Sequence, residues 1–244
     1  MKKAFVYTHL GLGDMILTSG AIRFLRERYE AVYVVCKDPY KETMRSLYED
    51  DPEIRIVVVA SDDDLHPWAE KGPLLQNKGF DVFGCGQFSM KPEKGIYDFP
   101  NSFYDDMDIP RSVRKSHFHI PRTPASKELH KQFAASPYIV VHQEASTHTL
   151  PIVDRLKAAG EKRLIINLTQ TPSNQEGVIS LYRPLTDYVD LMEGAEELHL
   201  IDSSIFCFTS QLNLKTDRPL LYYIRPGGHP IDTFNIFQPV TEYM

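Results

Sequence analysis

Cysteine is scarce in this sequence: Cys36, Cys85 and Cys207 are its only three in 244 residues, far apart and with no C-x-x-C spacing. So sparse and odd a set excludes a disulfide framework and a cysteine-based zinc site, and it fits a reducing compartment. Long hydrophobic runs are missing as well. No stretch approaches the roughly 20 apolar residues that span a bilayer, and no charged, apolar, then small-residue leader opens the chain. The expectation is a cytoplasmic protein without a membrane span. Positive charge is in the minority, 27 Lys and Arg against 33 Asp and Glu, for a net charge of −6. That balance disfavours nonspecific adhesion to nucleic acid or to anionic lipid. What is present is a hydrophobic fraction of 42%, enough at this length for one large core or two small ones.

The apolar residues fall into short runs that alternate with helical patterns. Ala4–Tyr7, Ala31–Cys36 and Ile54–Ala60 read as strands, Thr18–Arg28 and Tyr40–Tyr48 as helices. This is a βαβαβ unit of a parallel, doubly wound sheet. The segment 61–121 is less regular, with a helix end and a further strand around "LLQNKGFDVFGCGQF". Pro121 and Pro124 punctuate the middle of the chain and suggest a domain joint there. The alternation then restarts: strands at Tyr138–His142, Arg163–Leu168, Glu197–Ile201 and Leu220–Ile224, helices at Leu150–Ala159, Leu185–Met192 and Ser204–Leu212. The predicted architecture is α/β, with two Rossmann-like lobes, residues 1–122 and 123–244, around a ligand cleft. A single continuous sheet is the alternative.

Three strand-end constellations carry chemistry. In "HLGLGD", Gly11 and Gly13 permit a tight turn and close ligand approach, with Asp14 at the start of the following helix. Ile16 stands where a dinucleotide fingerprint needs its third glycine, so that match fails. Asp14 is therefore either a helix N-cap or a general base facing a cleft, with His9 nearby. In "YIVVHQEASTHT", a buried strand runs into His142, Gln143, Glu144, Ser146, Thr147 and His148, polar groups suited to phosphate or ribose; two histidines without a third ligand do not suggest a metal. In "AEELHLIDSSIFCF", Ser203 and Ser204 follow a strand and open a helix, either to donate to a phosphate or to cap the helix.

In that order the elements resemble the GT-B superfamily of nucleotide-sugar glycosyltransferases, and within it the heptosyltransferase-like small enzymes of bacteria and of large DNA viruses of the chlorovirus type. Gly11-Leu12-Gly13-Asp14 is similar to their strand–G-x-G-D–helix element. Ala195 through Ile201-Asp202-Ser203-Ser204 is similar to their donor-diphosphate element, with Ser204 in place of a glycine. The resemblance implies an N-terminal acceptor lobe and a C-terminal donor lobe. It also implies Asp14 as the base that deprotonates an acceptor hydroxyl, and the segment Arg183, Pro184 and Leu185 lying against the base of the nucleotide.

The reading that follows is an inverting, metal-independent transfer of a sugar from a nucleoside-diphosphate donor, UDP-sugar first, to a hydroxyl of an oligosaccharide or glycoconjugate, with no cofactor and no nucleic-acid partner. Asp14 is its catalytic residue. His9, Gly11, Leu12, Gly13, His142, Glu144, Ser146, Thr147, Arg183, Leu185, Ser203 and Ser204 are its binding residues. Arg183, His142 and Arg225 are candidates to offset charge on the leaving diphosphate. The acidic runs Asp62–Asp64 and Asp105–Asp108 contain D-x-D spacing, but neither directly ends a clear apolar strand, and they read as solvated loops. A sugar-nucleotide epimerase or hydrolase on the same frame, and a nucleotide-sugar or glycan-binding module in which Asp14 is only a cap, are the rivals.

Overall fold

A computed structural model describes residues 2–8, 11–61, 64, 72–85, 99–146, 148–217, 219–223 and 238–239. The chain divides into two compact units, Met1–Pro121 and Arg122–Met244. Each has its own sheet, so the single-sheet alternative does not hold.

In the first unit, β1 (Lys3–Tyr7), β2 (Val32–Lys37), β3 (Ile54–Val59) and β4 (Phe80–Gly84) pair in parallel in the order β3-β2-β1-β4. Residues Ala4 to Tyr7 of β1 are all buried, as expected of an inner strand covered on both faces. The helix after β1 begins earlier than the periodicity suggested, as Leu12–Leu17 continuing into Ser19–Arg26. The second of these turns its buried face (Ala21, Ile22 and Leu25) to the core and packs closely on the short helix Val113–Ser116. A Cβ on Gly20 would come within 2.7 Å of the Val113 carbonyl oxygen, so only glycine allows that approach. The "DDMD" run is the end of a helix rather than a loop. Helix Phe99–Asp106 closes with Asp108 in the left-handed region, φ 54°, and the Ile109 N–H donates back to the Tyr104 carbonyl at 2.9 Å. Asp105 is taken up by Arg111 at 2.8 Å. Asp64 caps a turn, accepting from the Ala60 and Ser61 N–H groups at 3.0 and 2.9 Å; Asp62 and Asp63 lie outside the described residues.

In the second unit, β5 (Tyr138–His142) is followed by a small antiparallel pair, β6 (Glu144–Ala145) with β7 (His148–Thr149). Strands β8 (Leu164–Leu168), β9 (Val178–Leu181), β10 (Glu197–Ile201), β11 (Leu220–Tyr223) and β12 (Gln238–Pro239) complete a parallel sheet ordered β12-β11-β10-β5-β8-β9. Counted from β5 and leaving out the small pair, this is the 3-2-1-4-5-6 order of a nucleotide-binding doubly wound sheet. One face packs Ile139, Val141, Ile165 and Val178 against Ile152 and Val153 of helix Ile152–Ala158. Pro124 does not break the chain here. It is the first residue of helix Pro124–Phe133, whose N-cap, Thr123, accepts from the Ser126 N–H at 3.0 Å. Arg122 and the Ser126 hydroxyl then bind Asp190 at 3.2 and 2.5 Å, tying this helix to Val189–Gly194. The predicted helix Leu185–Met192 is two pieces, a 3-10 turn Leu185–Tyr188 and the helix Val189–Gly194. Ile224, expected to end the last long strand, lies outside the described residues.

Candidate functional site

Doubly wound sheets bind ligands beyond the carboxyl ends of their strands, where the strand order reverses. In the first unit that point falls between β1 and β4. The turn after β1 makes Gly11 the N-cap of helix Leu12–Leu17, with no side-chain cap, and places Asp14 at the third helical position. Asp14 is thus not the N-cap that its place in the sequence allowed. Its Oδ2 lies 2.6 Å from where a Cβ on residue 11 would stand, so the carboxylate folds back over the Gly11 backbone into space that a side chain there would contest. A carboxylate there also suits the partial positive charge of the helix start. Leu12 and Gly13 are half-buried in the same turn; His9 lies outside the described residues. Across from β1, Cys85 follows β4, its N–H donating to the Tyr7 carbonyl at 3.1 Å. The thiol is fully buried, and burial, together with the charges of Asp106 and Asp14, pushes its pKa upward. It is a protonated wall of the turn rather than a nucleophile.

In the second unit the reversal lies between β5 and β10, and the loops after both strands contain residues predicted from sequence. His142 ends β5, is 9% exposed, and shares a hydrogen bond with the Leu168 carbonyl through Nδ1 at 3.0 Å. A carbonyl can only accept, so Nδ1 carries the proton. Burial lowers the His142 pKa, outweighing the upward pull of that hydrogen bond and of Glu144. A neutral ring is the consequence at pH 7, so His142 supplies an acceptor at Nε2 and not the cation expected for a leaving diphosphate. Glu144 is half-buried and its Oε2 accepts from the Thr169 hydroxyl at 2.5 Å. Ser146 is exposed, and Thr147 lies outside the described residues. After β10, Ser203 caps helix Ser204–Thr209, its Oγ accepting from the Phe206 N–H at 3.3 Å. Ser204 is half-buried at the first helical position.

The loop after β9 divides its predicted residues. Arg183 is exposed, whereas Leu185 is 5% exposed and belongs to the core beneath the loop. What holds this loop was not legible. The Arg183 N–H donates to the Tyr188 hydroxyl at 2.6 Å, and that hydroxyl donates to the Leu181 carbonyl at 3.2 Å. Burial first among several causes pushes the Tyr188 pKa up to about 12, so it stays a donor. Thr169 and Tyr188, which hold these loops, were both missed. Thr169 directly follows the apolar run "RLIINL" and could have been found as a strand-end hydroxyl; Tyr188 gives no signal in sequence. Arg225 lies outside the described residues.

No protein-family model matches this chain, and no curated protein matches it in sequence. Solved structures do match in fold. The family 9 glycosyl transferase of Veillonella parvula shares 14% identity, covering 92% of this chain and 82% of its own, with a TM-score of 0.57. The ADP-heptose lipopolysaccharide heptosyltransferase II of E. coli shares 13%, covering 98% and 90%, with a TM-score of 0.55. UDP-GlcNAc 2-epimerase from Methanocaldococcus jannaschii shares 9%, covering 98% and 89%, also at 0.55. At these identities the likeness is one of fold: α/β, with two Rossmann-like lobes, as in GT-B glycosyltransferases.

Proposed function

We propose that this chain is a glycosyltransferase that uses a nucleoside-diphosphate sugar. The observation that carries the reading is the coincidence of two independent features. Solved structures similar to it are named as a glycosyl transferase, an ADP-heptose heptosyltransferase and a UDP-GlcNAc 2-epimerase, and the loops singled out in sequence stand at the strand ends where each sheet reverses its order. In this reading the second unit takes the donor, with diphosphate against the Ser203–Ser204 helix start. Asp14 in the first unit removes the proton from an acceptor hydroxyl as that oxygen attacks the anomeric carbon and the nucleoside diphosphate departs, inverting the centre. Arg183, exposed in the loop after β9, is the described side chain among the cations proposed from sequence to offset charge on the leaving group.

The fold shared with a 2-epimerase favours a second reading, a sugar-nucleotide epimerase or hydrolase that eliminates or attacks at the same anomeric centre and needs no acceptor. Incubating the protein with UDP-, ADP- and GDP-sugars, with and without a mixed oligosaccharide acceptor, separates the two. Transfer requires acceptor-dependent release of nucleoside diphosphate and a heavier glycan. Release or isomerisation that ignores the acceptor supports the second reading. Transfer is expected to survive excess EDTA. That arm matters because another protein of similar fold, TibC, is named as iron-containing, and loss of transfer with rescue by a divalent metal would overturn metal independence.

A further inference from the structure

The first unit holds a cavity that the proposed reaction does not use. Its volume is about 560 Å³, within the range of small-molecule sites. It opens between the end of helix Ser19–Arg26, the turn before β3 and the segment 116–119. The Glu30 N–H donates to the Lys2 carbonyl at 3.1 Å, so this helix ends beside the start of β1. The cavity therefore lies at the amino ends of the strands, whereas Asp14 follows the carboxyl end of β1. The helical path from Asp14 to Arg26 rises roughly 18 Å at 1.5 Å per residue.

The walls are charged, and the charges are matched in pairs. Arg23 grips both oxygens of Asp50, through Nη1 at 3.1 Å and Nη2 at 2.9 Å. Arg26 Nε donates to Asp51 at 3.1 Å. His117 Nε2 lies 3.3 Å from Glu27, and His119 Nε2 lies 3.4 Å from Asp50. Arg26 Nη2 still donates to no described residue, and one oxygen of Glu27 accepts from none. Phe118 is the apolar side chain among these polar ones. Its backbone is pinned on both sides: the His117 N–H donates to the Val113 carbonyl at 3.0 Å, and the His119 carbonyl accepts from Arg23 Nε at 3.2 Å. Val113 and Ile120 enter the core, yet Phe118 between them stays half-buried at the cavity.

We infer that this cavity binds a neutral saccharide, remote from the site of transfer, with Phe118 against the sugar ring and Arg26 and Glu27 on its hydroxyls. The ligand class follows from the charges. An anion entering here meets Glu27 and Asp51, and a cation meets Arg23 and Arg26. A sugar hydroxyl is donor and acceptor at once, so a vicinal pair satisfies a guanidinium N–H and a carboxylate oxygen together without opening an ion pair. The C–H face of a pyranose is apolar and packs on an aromatic ring. Within the proposed transfer reaction this gives a long acceptor a second hold; the binding itself depends on neither Asp14 nor the donor loops.

Frontal chromatography of the full chain, with no donor present, over immobilised dextran, galactomannan, arabinoxylan and heparin tests this. At least one neutral column should retard wild type, and equally so at roughly 0.5 M salt, because a neutral ligand has no charge to screen. Phe118→Ala should weaken that affinity by about ten-fold, the scale of a lost ring contact. Glu27→Gln should weaken it too, and with a side chain 61% exposed it keeps the test open if Phe118→Ala does not fold. Asp14→Asn should be retarded like wild type. Free passage of wild type through every neutral column, retention on heparin alone, or equal retention of wild type, Phe118→Ala and Glu27→Gln would overturn the inference and leave the transfer reading standing. Loss of retention in Asp14→Asn would also overturn it, by moving the saccharide to the turn after β1. Failure of the nucleotide-sugar assays would overturn the transfer reading and leave this site intact.

Discussion

At the scale of the residue, the proposed chemistry turns on how Asp14 is held. Its place three residues after the glycine N-cap puts the carboxylate in the first turn, where it favours the helix start, and the proposed reaction asks the same group to accept a proton. Asp14→Asn removes the proposed base and one charge near the helix terminus. The expected stability loss is under about 1 kcal/mol, the usual worth of such a charge. Transfer should fall by roughly two to four orders of magnitude. Calorimetric unfolding beside a transfer assay checks both, and near wild-type transfer would make Asp14 structural. Gly11→Ala approaches the same question without touching the acid. The new methyl would meet Asp14 Oδ2 at 2.6 Å, so the carboxylate must turn away. A variant that stays folded yet loses most of its transfer activity is expected; full activity would mean that the carboxylate position is not critical.

At the scale of the element, the start of helix Ser204–Thr209 divides a structural role and a proposed ligand-binding role between two adjacent serines. Ser203 is its N-cap through the Phe206 N–H, whereas the Ser204 hydroxyl is not the capping group. Ser203→Ala should therefore cost about 1 kcal/mol of unfolding free energy, the ordinary worth of a serine cap. Ser204→Ala should leave unfolding nearly unchanged and weaken diphosphate binding by ~1–3 kcal/mol, the scale of a hydrogen bond to a charged group. Chemical denaturation and titration on the two single variants separate the effects. Equal stability of both variants would show that Ser203 does not cap in solution.

At the scale of the whole molecule, two buried imidazoles tie stability to pH. His142 sits at the end of β5. His199, 2% exposed on β10, lies 2.7 Å from the Tyr222 hydroxyl through Nδ1 and 3.1 Å from Glu197 through Nε2. Burial lowers both pKa values from 6.5, in each case outweighing the partners that raise them. An unfolded chain therefore binds more protons than the native one below that value, and stability contributed by the neutral rings is present above pH 6.5 and lost as pH falls through the native pKa values. Glu161 acts in the same direction in stronger acid. Its hydrogen bonds with Arg163 lower its pKa from 4.5 to about 2. The unfolding midpoint should fall from pH 7 to pH 5.5, and less so in His142→Asn. A midpoint that rises over that interval would show that the rings are not held neutral.

Much of this architecture was present in the order of residues. Parallel strands buried on both faces favour nearly continuous apolar runs, and "AFVY" and "YIVV" are such runs whatever surrounds them, whereas "ELHLI" is interrupted by His199. Two glycines between a strand and a helix likewise mark a turn locally, because the permission for a tight backbone lies in the residue itself. Tertiary structure alone decided how the polar residues are used. The sequence could not assign Asp14 to the third helical position or make Gly11 the cap, since either could open the helix. Nor could it bury Leu185, neutralise His142, or bring Thr169 and Tyr188 against the loops of Glu144 and Arg183. His142 and Glu144 find their partners, the Leu168 carbonyl and the Thr169 hydroxyl, 26 and 25 residues away at the end of a neighbouring strand. A hydrogen bond between strand ends is set by which strands become neighbours, and that is a property of the packed sheet rather than of any stretch of the chain.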